Sequence, residues 1–146
     1  DSIVAQYILK SFQKTSININ IPKFKLRIFI DSIQRYEFPI RVGRNEKKYL
    51  EMSGRVQDLK TKTGEGFVFK HFRNPRYINP VNNHPTTNPI TLSKAYSNGC
   101  IGTTEADAWV IYYYAPINTK VKIRYNLNVT NEKGGVIILK DVYHKN

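Results

Sequence analysis

Residues 24–42 read FKLRIFIDSIQRYEFPIRV, and this stretch decides the fold. Over residues 24–30, apolar side chains alternate with mostly basic ones at a period of two, which predicts a strand with one buried face. Asp31-Ser32 is a turn signal, and residues 35–42 predict the returning strand. Pro39 within that strand indicates a sheet edge or a bulge. The stretch therefore predicts an antiparallel hairpin.

The segments on either side of this hairpin are less regular. Residues 3–12 have apolar positions at helical spacing and predict an amphipathic helix. Residues 43–65 are polar and rich in Gly, Lys and Thr, which predicts mainly loop, and Gly66–Phe72 predicts a strand. The stretch from Arg73 to Thr91 is rich in proline and asparagine and predicts a long loop. A loop of this length in a small domain is usually functional or disordered.

The clearest helix is predicted for residues 104–114. Thr104 can cap its N-terminus, Asp107 stands where an acid can reach back, and Pro116 ends it. Helical spacing predicts that one face packs on the core; its members are Ala106, Trp109, Val110 and Tyr113.

The C-terminal part predicts more β-structure. Residues 120–125 alternate apolar and basic side chains, which predicts a half-buried strand, and Gly134-Gly135 predicts a hairpin turn. Together these patterns predict a mainly β, β-rich α+β, single domain. We expect residues 1–15 to form an N-terminal helical or linker segment, and residues 16–146 to form the domain with a C-terminal hairpin extension.

Composition and charge limit the function classes. The 146 residues fit one compact domain, and the net charge of +12 attracts polyanions such as nucleic acid, anionic lipid or acidic wall polymers. A single cysteine excludes an internal disulfide. The sequence has no apolar run near the roughly 20 residues that span a bilayer, and no secretory signal at its start. Three dispersed histidines and one cysteine do not form a metal-ligand set, so we expect no metal or cofactor.

The single cysteine stands in a suggestive setting. Residues 97–104 read SNGCIGTT, with a glycine on each side of Cys100 just before the predicted helix. Helix N-terminal amides favour a thiolate, and exposed amides there can hold an oxyanion. A thiol needs a base, and the chain offers three histidines. His71 lies in a predicted strand and His144 near the C-terminus, whereas His84 lies in the long loop, sixteen positions before the cysteine.

Residues 84–100, HPTTNPITLSKAYSNGC, resemble the active-site signature of the L,D-transpeptidases, the YkuD-like domain. That signature is a histidine, a spacer of about a dozen residues and then Ser-x-Gly-Cys. The opening hairpin, residues 61–64 (TKTG) and the helix and strand over residues 104–125 also resemble the family, so the resemblance covers roughly residues 16 to 126. It implies a β-sandwich-like fold with one helix after the catalytic cysteine.

The resemblance also implies roles for individual residues. Cys100 is then the nucleophile and His84 the general base, oriented by the backbone carbonyl of Pro85. Residues 97–99 then form the oxyanion or active-site turn; they are Ser97, Asn98 and Gly99. The implied substrates are peptidoglycan stem tetrapeptides, cross-linked through a thioester acyl-enzyme in the cell envelope, in a periplasmic or extracellular compartment.

Two departures from the family pattern affect this interpretation. Asn98 stands where many members have a second histidine, and Gly102 stands where the family usually has arginine. Arg73 or Arg76 in the long loop could supply the substrate carboxylate site instead. Alternatives with the same fold are an L,D-carboxypeptidase and a catalytically degenerate wall-binding domain.

A rival of another class is a basic module that binds nucleic acid, supported by the charge and the 10 tyrosines. That rival gives no reason for the spacing between His84 and Cys100. We therefore expect stem peptides as partners, with anionic wall polymers as a further class, and no nucleic acid.

Overall fold

The computed structural model describes residues 14–51, 53–72 and 89–145. Its strands are β1 (Thr15–Asn20), β2 (Lys25–Ile30), β3 (Ile33–Pro39), β4 (Val42–Gly43), β5 (Lys47–Leu50), β6 (Arg55–Asp58), β7 (Gly64–Phe67), β8 (Ala95–Ser97), β9 (Lys120–Arg124), β10 (Asn128–Thr130) and β11 (Val136–Ile138). Among the described residues there is one α-helix, α1 (Glu105–Tyr114), together with two short 3-10 helices, Ile21–Lys23 and Pro89–Thr91. The prediction of a mainly β fold with one helix after the cysteine is confirmed. The helix predicted for residues 3–12 lies outside the described residues.

Five strands form the main sheet in the order β3-β2-β1-β9-β7. Neighbours pair antiparallel except β1 and β9, which run parallel. The period-two alternation places one apolar face of the sheet toward the core, so that Ile17 pairs with Ile28 on one side and with Val121 on the other. The strand predicted for residues 120–125 is thus confirmed over Lys120–Arg124.

The opening hairpin forms where the sequence predicts it. Asp31 and Ser32 have φ values of 53° and 65°, the left-handed pair that a tight two-residue hairpin turn requires. The returning strand begins at Ile33, two residues earlier than predicted, because the turn leaves no residue between itself and the first strand pair. It is the edge strand of the sheet, as its proline predicts, but it ends at Pro39, three residues before the predicted end at Val42.

The core lies against one face of this sheet. Its buried members are Ile17, Ile19, Ile21, Leu26, Ile28, Phe38, Ile40, Val42, Ala115 and Tyr143. Helix α1 contributes Val110, Ile111 and Tyr114, which are partly buried against this cluster. The sheet and the helix therefore enclose one apolar layer.

Helix α1 has the predicted ends but only part of the predicted face, since Val110 packs on the core as predicted. Thr104 Oγ1 accepts a hydrogen bond from the backbone N–H of Asp107, and the helix ends at Tyr114 before Pro116. Trp109 and Tyr113, predicted to pack inward, are 43% and 74% exposed. The helix is apolar on nearly all sides, so spacing alone does not distinguish the packed face from the exposed one.

The prediction of loop over residues 43–65 is wrong in part. Strands β5 and β6 form a hairpin around Gly54, whose φ is 68°. The sequence did not predict this hairpin because most of its side chains are exposed and polar. The alternation of apolar and polar residues that indicates a half-buried strand is therefore weak here. The strand predicted for Gly66–Phe72 instead runs over Gly64–Phe67. Its pairing with β9 ends at Phe67 and Lys120, and two further backbone hydrogen bonds join Val68 to Asn118 and Thr119.

The C-terminal segment adds a second hairpin. Strands β10 and β11 pair antiparallel on either side of Gly134, whose φ is 81°, so the predicted hairpin is confirmed. In the part of the chain that the structure describes, no helix is both long enough and apolar enough to cross a bilayer.

Candidate active site

Residues 97–102 are here named the cysteine loop. They begin at the last residue of β8 and end three positions before the first residue of α1. Strand β8 pairs in parallel with β4, so that Gly43 faces Ser97. The Ser97 hydroxyl donates a hydrogen bond to the backbone carbonyl of Cys100 and closes the turn between them. Cys100 itself is exposed, so its thiol is accessible from solvent.

Thr61 fixes the middle of the cysteine loop. Its hydroxyl donates to the carbonyl oxygen of Gly99 over 2.9 Å and accepts from the backbone N–H of Gly43 over 2.8 Å. Gly99 has a φ of 112°, a conformation that favours glycine. Because Thr61 is buried, the N–H of Gly43 and the carbonyl of Gly99 both depend on this one side chain for a hydrogen bond.

Gly43 is glycine because three backbone segments meet there. A Cβ at this position would lie 1.9 Å from the carbonyl oxygen of Leu59, 2.7 Å from the Thr61 nitrogen and 2.8 Å from the Gly99 α-carbon. These are backbone atoms and cannot rotate away. The close approach therefore positions the cysteine loop against β4 and the segment before β7.

Tyr143 joins this contact from the C-terminal segment. Its hydroxyl donates to the carbonyl oxygen of Gly43 and accepts from the backbone N–H of Thr61 over 3.1 Å. Its ring stacks on that of Tyr125 with centroids 5.6 Å apart, and burial raises the pKa of the Tyr143 phenol. The last residues of the described chain thus hold the segments that support Gly99.

Arg41 approaches the other end of the cysteine loop. Its backbone N–H donates to the carbonyl of Gly102 over 2.9 Å and its carbonyl accepts from the N–H of Gly102 over 3.0 Å. Its Nε donates to Thr91 Oγ1 over 2.7 Å. The side chain is buried, and the loss of hydration lowers the pKa of its guanidinium.

Several residues that the sequence singled out cannot be placed. His84, Pro85, Arg73 and Arg76 lie outside the described residues. Asn98 is half-buried in the cysteine loop beside Gly99. The structure therefore describes the nucleophile candidate and its turn, while the base candidate stays a prediction from the sequence.

The other two histidines have different surroundings. The Nε2 atom of His71 lies 2.6 Å from the carbonyl oxygen of Ala115, and its ring contacts that of Tyr112 with centroids 4.7 Å apart. His71 thus binds the C-terminal end of α1. His144 is an exposed residue with a φ of 53° at the end of the described chain. Within residues 14–51, 53–72 and 89–145, no group of three His, Cys, Asp or Glu side chains could hold a metal ion.

Three residues of this region were missed by sequence reasoning as supports of the site. Thr61 belongs to the TKTG stretch that already resembled a family element, so its position was a usable signal. Arg41 and Tyr143 lie in segments with no motif, and their contacts join positions far apart in the chain. Neither periodicity nor local composition could have identified them.

Comparison with known proteins gives a family match and a fold match. The family described as YkuD, L,D-transpeptidase catalytic domain, matches residues 14–123. No curated protein sequence matches the chain.

Solved structures that are similar in fold include three L,D-transpeptidases. An L,D-transpeptidase from Xylanimonas cellulosilytica has a TM-score of 0.59 at 18% identity and covers 78% of this chain and 62% of its own. L,D-transpeptidase 3 from Mycobacterium tuberculosis, in complex with a faropenem-derived adduct, has a TM-score of 0.58 at 14% identity and covers 76% of this chain and 60% of its own. An L,D-transpeptidase from Mycobacterium tuberculosis H37Rv has a TM-score of 0.56 at 17% identity and covers 76% of this chain and 57% of its own. The chain thus spans about 60% of the length of these structures.

Proposed function

The chain belongs to the L,D-transpeptidase catalytic domain family, and on that premise we propose that it is a peptidoglycan L,D-transpeptidase with Cys100 as nucleophile and His84 as general base. The observation that carries the proposal is the exposure of Cys100 on a loop whose Gly99 carbonyl accepts a hydrogen bond from the buried Thr61. A reactive thiol must reach its substrate, and its backbone must be fixed for catalysis.

The choice of His84 rests on the sequence and on the other histidines. Its spacing from Cys100 matches the family signature. His71 is bound to the end of α1, and His144 follows the C-terminal hairpin, so neither has a contact with the cysteine loop among those described. A carbonyl orients an imidazole without needing an N–H, so Pro85 can fill that role.

The reaction is an acyl transfer in two steps. The Cys100 sulfur attacks the carbonyl carbon of the L-centre in a stem tetrapeptide, and its proton passes to His84. The C–N bond to the terminal D-amino acid breaks, and His84 gives the proton to the leaving amine. An amine of a neighbouring stem then attacks the thioester, the C–S bond breaks and the thiol is restored.

Charge stabilisation in this reaction is assigned to the cysteine loop. The tetrahedral oxyanion needs backbone amides aimed at it, and those around Gly99 and Cys100 are the candidates in the turn formed with Ser97 and Asn98. Arg73 and Arg76 are candidates for binding a substrate carboxylate. The net charge of +12 favours anionic wall polymers as further partners, and we expect the protein to act in the cell envelope.

Digestion of purified tetrapeptide muropeptides, with products read by mass spectrometry, tests the proposal. A cross-linked dimer supports transpeptidation, and loss of the terminal residue alone supports the carboxypeptidase alternative, in which water resolves the thioester. Neither product from the native protein would support a degenerate wall-binding domain. Cys100→Ser and His84→Ala should each abolish turnover, whereas His144→Ala should leave it unchanged.

Intact-mass measurement after incubation with faropenem gives a second test. The structure of L,D-transpeptidase 3 from Mycobacterium tuberculosis contains a faropenem-derived adduct. We expect an adduct on the native chain and none on Cys100→Ser. A nucleic-acid module would instead bind DNA in a salt-sensitive way that survives the cysteine substitution.

A further inference from the structure

Arg41 is an arginine enclosed at the edge of the active site. Only 6% of its surface is exposed, and its Nε donates to Thr91, a buried threonine of the second 3-10 helix. Its backbone forms an antiparallel bridge to Gly102. Two backbone hydrogen bonds hold the main chain of Arg41 next to the cysteine loop, and the hydrogen bond from Nε is among the contacts that orient its guanidinium.

Gly102 leaves the space that the Arg41 side chain fills. A Cβ at Gly102 would lie 2.4 Å from Nη1, 2.8 Å from Cγ and 3.0 Å from Cδ of Arg41. Distances this short are incompatible with both groups in place, and burial leaves the arginine little room to move. Glycine at position 102 and arginine at position 41 therefore form a matched pair.

The position of this pair relates it to the nucleophile. Gly102 follows Cys100 by two residues, and its backbone forms the bridge to Arg41. Two residues of chain span at most about 7 Å, so the α-carbon of Gly102 lies within that distance of the α-carbon of Cys100. The Arg41 side chain fills the volume in front of Gly102, so its guanidinium lies close to the backbone that carries the nucleophile candidate.

From this placement we propose that Arg41 is a specificity-determining residue, which holds a positive charge beside Cys100 and favours acyl donors that carry a carboxylate. The inference rests on the proposed function in taking Cys100 as the nucleophile. A buried charge is screened less by salt than an exposed one, so its field acts on a nearby anion without direct contact. The ligand class is an anionic acyl donor, such as a peptide with a free carboxyl group near the scissile bond.

Two alkylating reagents test the charge without any peptidoglycan substrate. Iodoacetate is anionic and iodoacetamide is neutral, and Cys100 is the single cysteine, so each rate constant reports this thiol. The ratio of the two rate constants measures the preference for an anion. Arg41→Met should lower this ratio about threefold to tenfold, Arg41→Lys should retain most of it, and the exposed-site control Arg35→Met should leave it unchanged.

Gly102→Ala supplies an independent arm. Its methyl group should displace the Arg41 side chain and lower the ratio as Arg41→Met does. In the Arg41→Met background the guanidinium is absent, so adding Gly102→Ala should change the ratio little further. Equal effects of Gly102→Ala in both backgrounds would contradict the proposed pairing.

The outcomes separate this inference from the proposed function. If neither reagent modifies Cys100 in the native protein, the nucleophile assignment and the proposal that depends on it both fail. If Cys100 reacts and the ratio is the same in native, Arg41→Met and Gly102→Ala proteins, Arg41 does not select anions, while the nucleophile assignment stands. Should Arg41→Met not fold by circular dichroism, Arg41→Lys and Gly102→Ala decide the question, because a purely structural role would not change the charge preference of the thiol.

Discussion

The hydroxyl of Tyr143 donates a hydrogen bond to the carbonyl oxygen of Gly43, one hundred positions earlier in the chain. Tyr143 lies beyond the part of the chain that the family matches, residues 14–123. The same hydroxyl accepts from the N–H of Thr61, which in turn holds Gly99 in the cysteine loop. The C-terminal segment is therefore connected to the nucleophile candidate through two hydrogen-bonded residues.

Removal of the Tyr143 hydroxyl should weaken this connection. Tyr143→Phe leaves a buried carbonyl and a buried N–H without their partner, so we expect a loss of about 1–3 kcal/mol in the free energy of unfolding. Urea denaturation followed by circular dichroism measures it. Tyr49→Phe, at a tyrosine that is 58% exposed, is the matched control and should change stability little.

Thr61 should be sensitive to loss of its hydroxyl but not of its methyl group. Thr61→Val removes the bonds to Gly43 and Gly99 and should lower the free energy of unfolding by about 1–3 kcal/mol. Thr61→Ser keeps the hydroxyl and should lose only about 0.8 kcal/mol for the missing carbon. Equal losses for the two variants in urea denaturation would show that the hydrogen bonds contribute nothing.

Gly43 should not tolerate a side chain. Gly43→Ala places a methyl group against three backbone atoms of two other segments, and relieving the overlap should lower the free energy of unfolding by about 3 kcal/mol. Gly66 in β7 has no atom within 4 Å of an added Cβ, so Gly66→Ala is the control and should stay within about 0.5 kcal/mol. Thermal denaturation of both variants measures the difference, and a Gly43→Ala protein as stable as the control would contradict the close approach.

Alkaline pH should destabilise the C-terminal segment through Tyr125. Burial, followed by the hydrogen bond to Asp141, raises the pKa of the Tyr125 phenol from 10.0 to about 12. Because the folded phenol stays protonated where the unfolded one ionises, its contribution to stability is complete below pH 10 and is lost between pH 10 and about 12. Denaturation curves measured across this pH range should show that the free energy of unfolding falls less steeply for Tyr125→Phe than for the native protein. An equally steep fall in both proteins would rule out the tyrosine as the cause.

The sequence alone determined the elements whose signal is local. The Asp31-Ser32 turn, the cap at Thr104 and the alternation over residues 120–124 each depend on neighbours within a few positions. Turn geometry, capping and strand alternation are short-range properties of the backbone, so the residues themselves specify them.

Only the tertiary structure decided which parts of the chain meet at the cysteine loop. Gly43, Thr61 and Tyr143 come from three distant segments, and the packed face of α1 differs from the one its spacing predicts. Glycine fits at position 102 because the Arg41 side chain occupies the volume that a side chain at this position would need. Steric fit and buried hydrogen bonds depend on the distances between segments, and those distances exist only once the whole chain has packed.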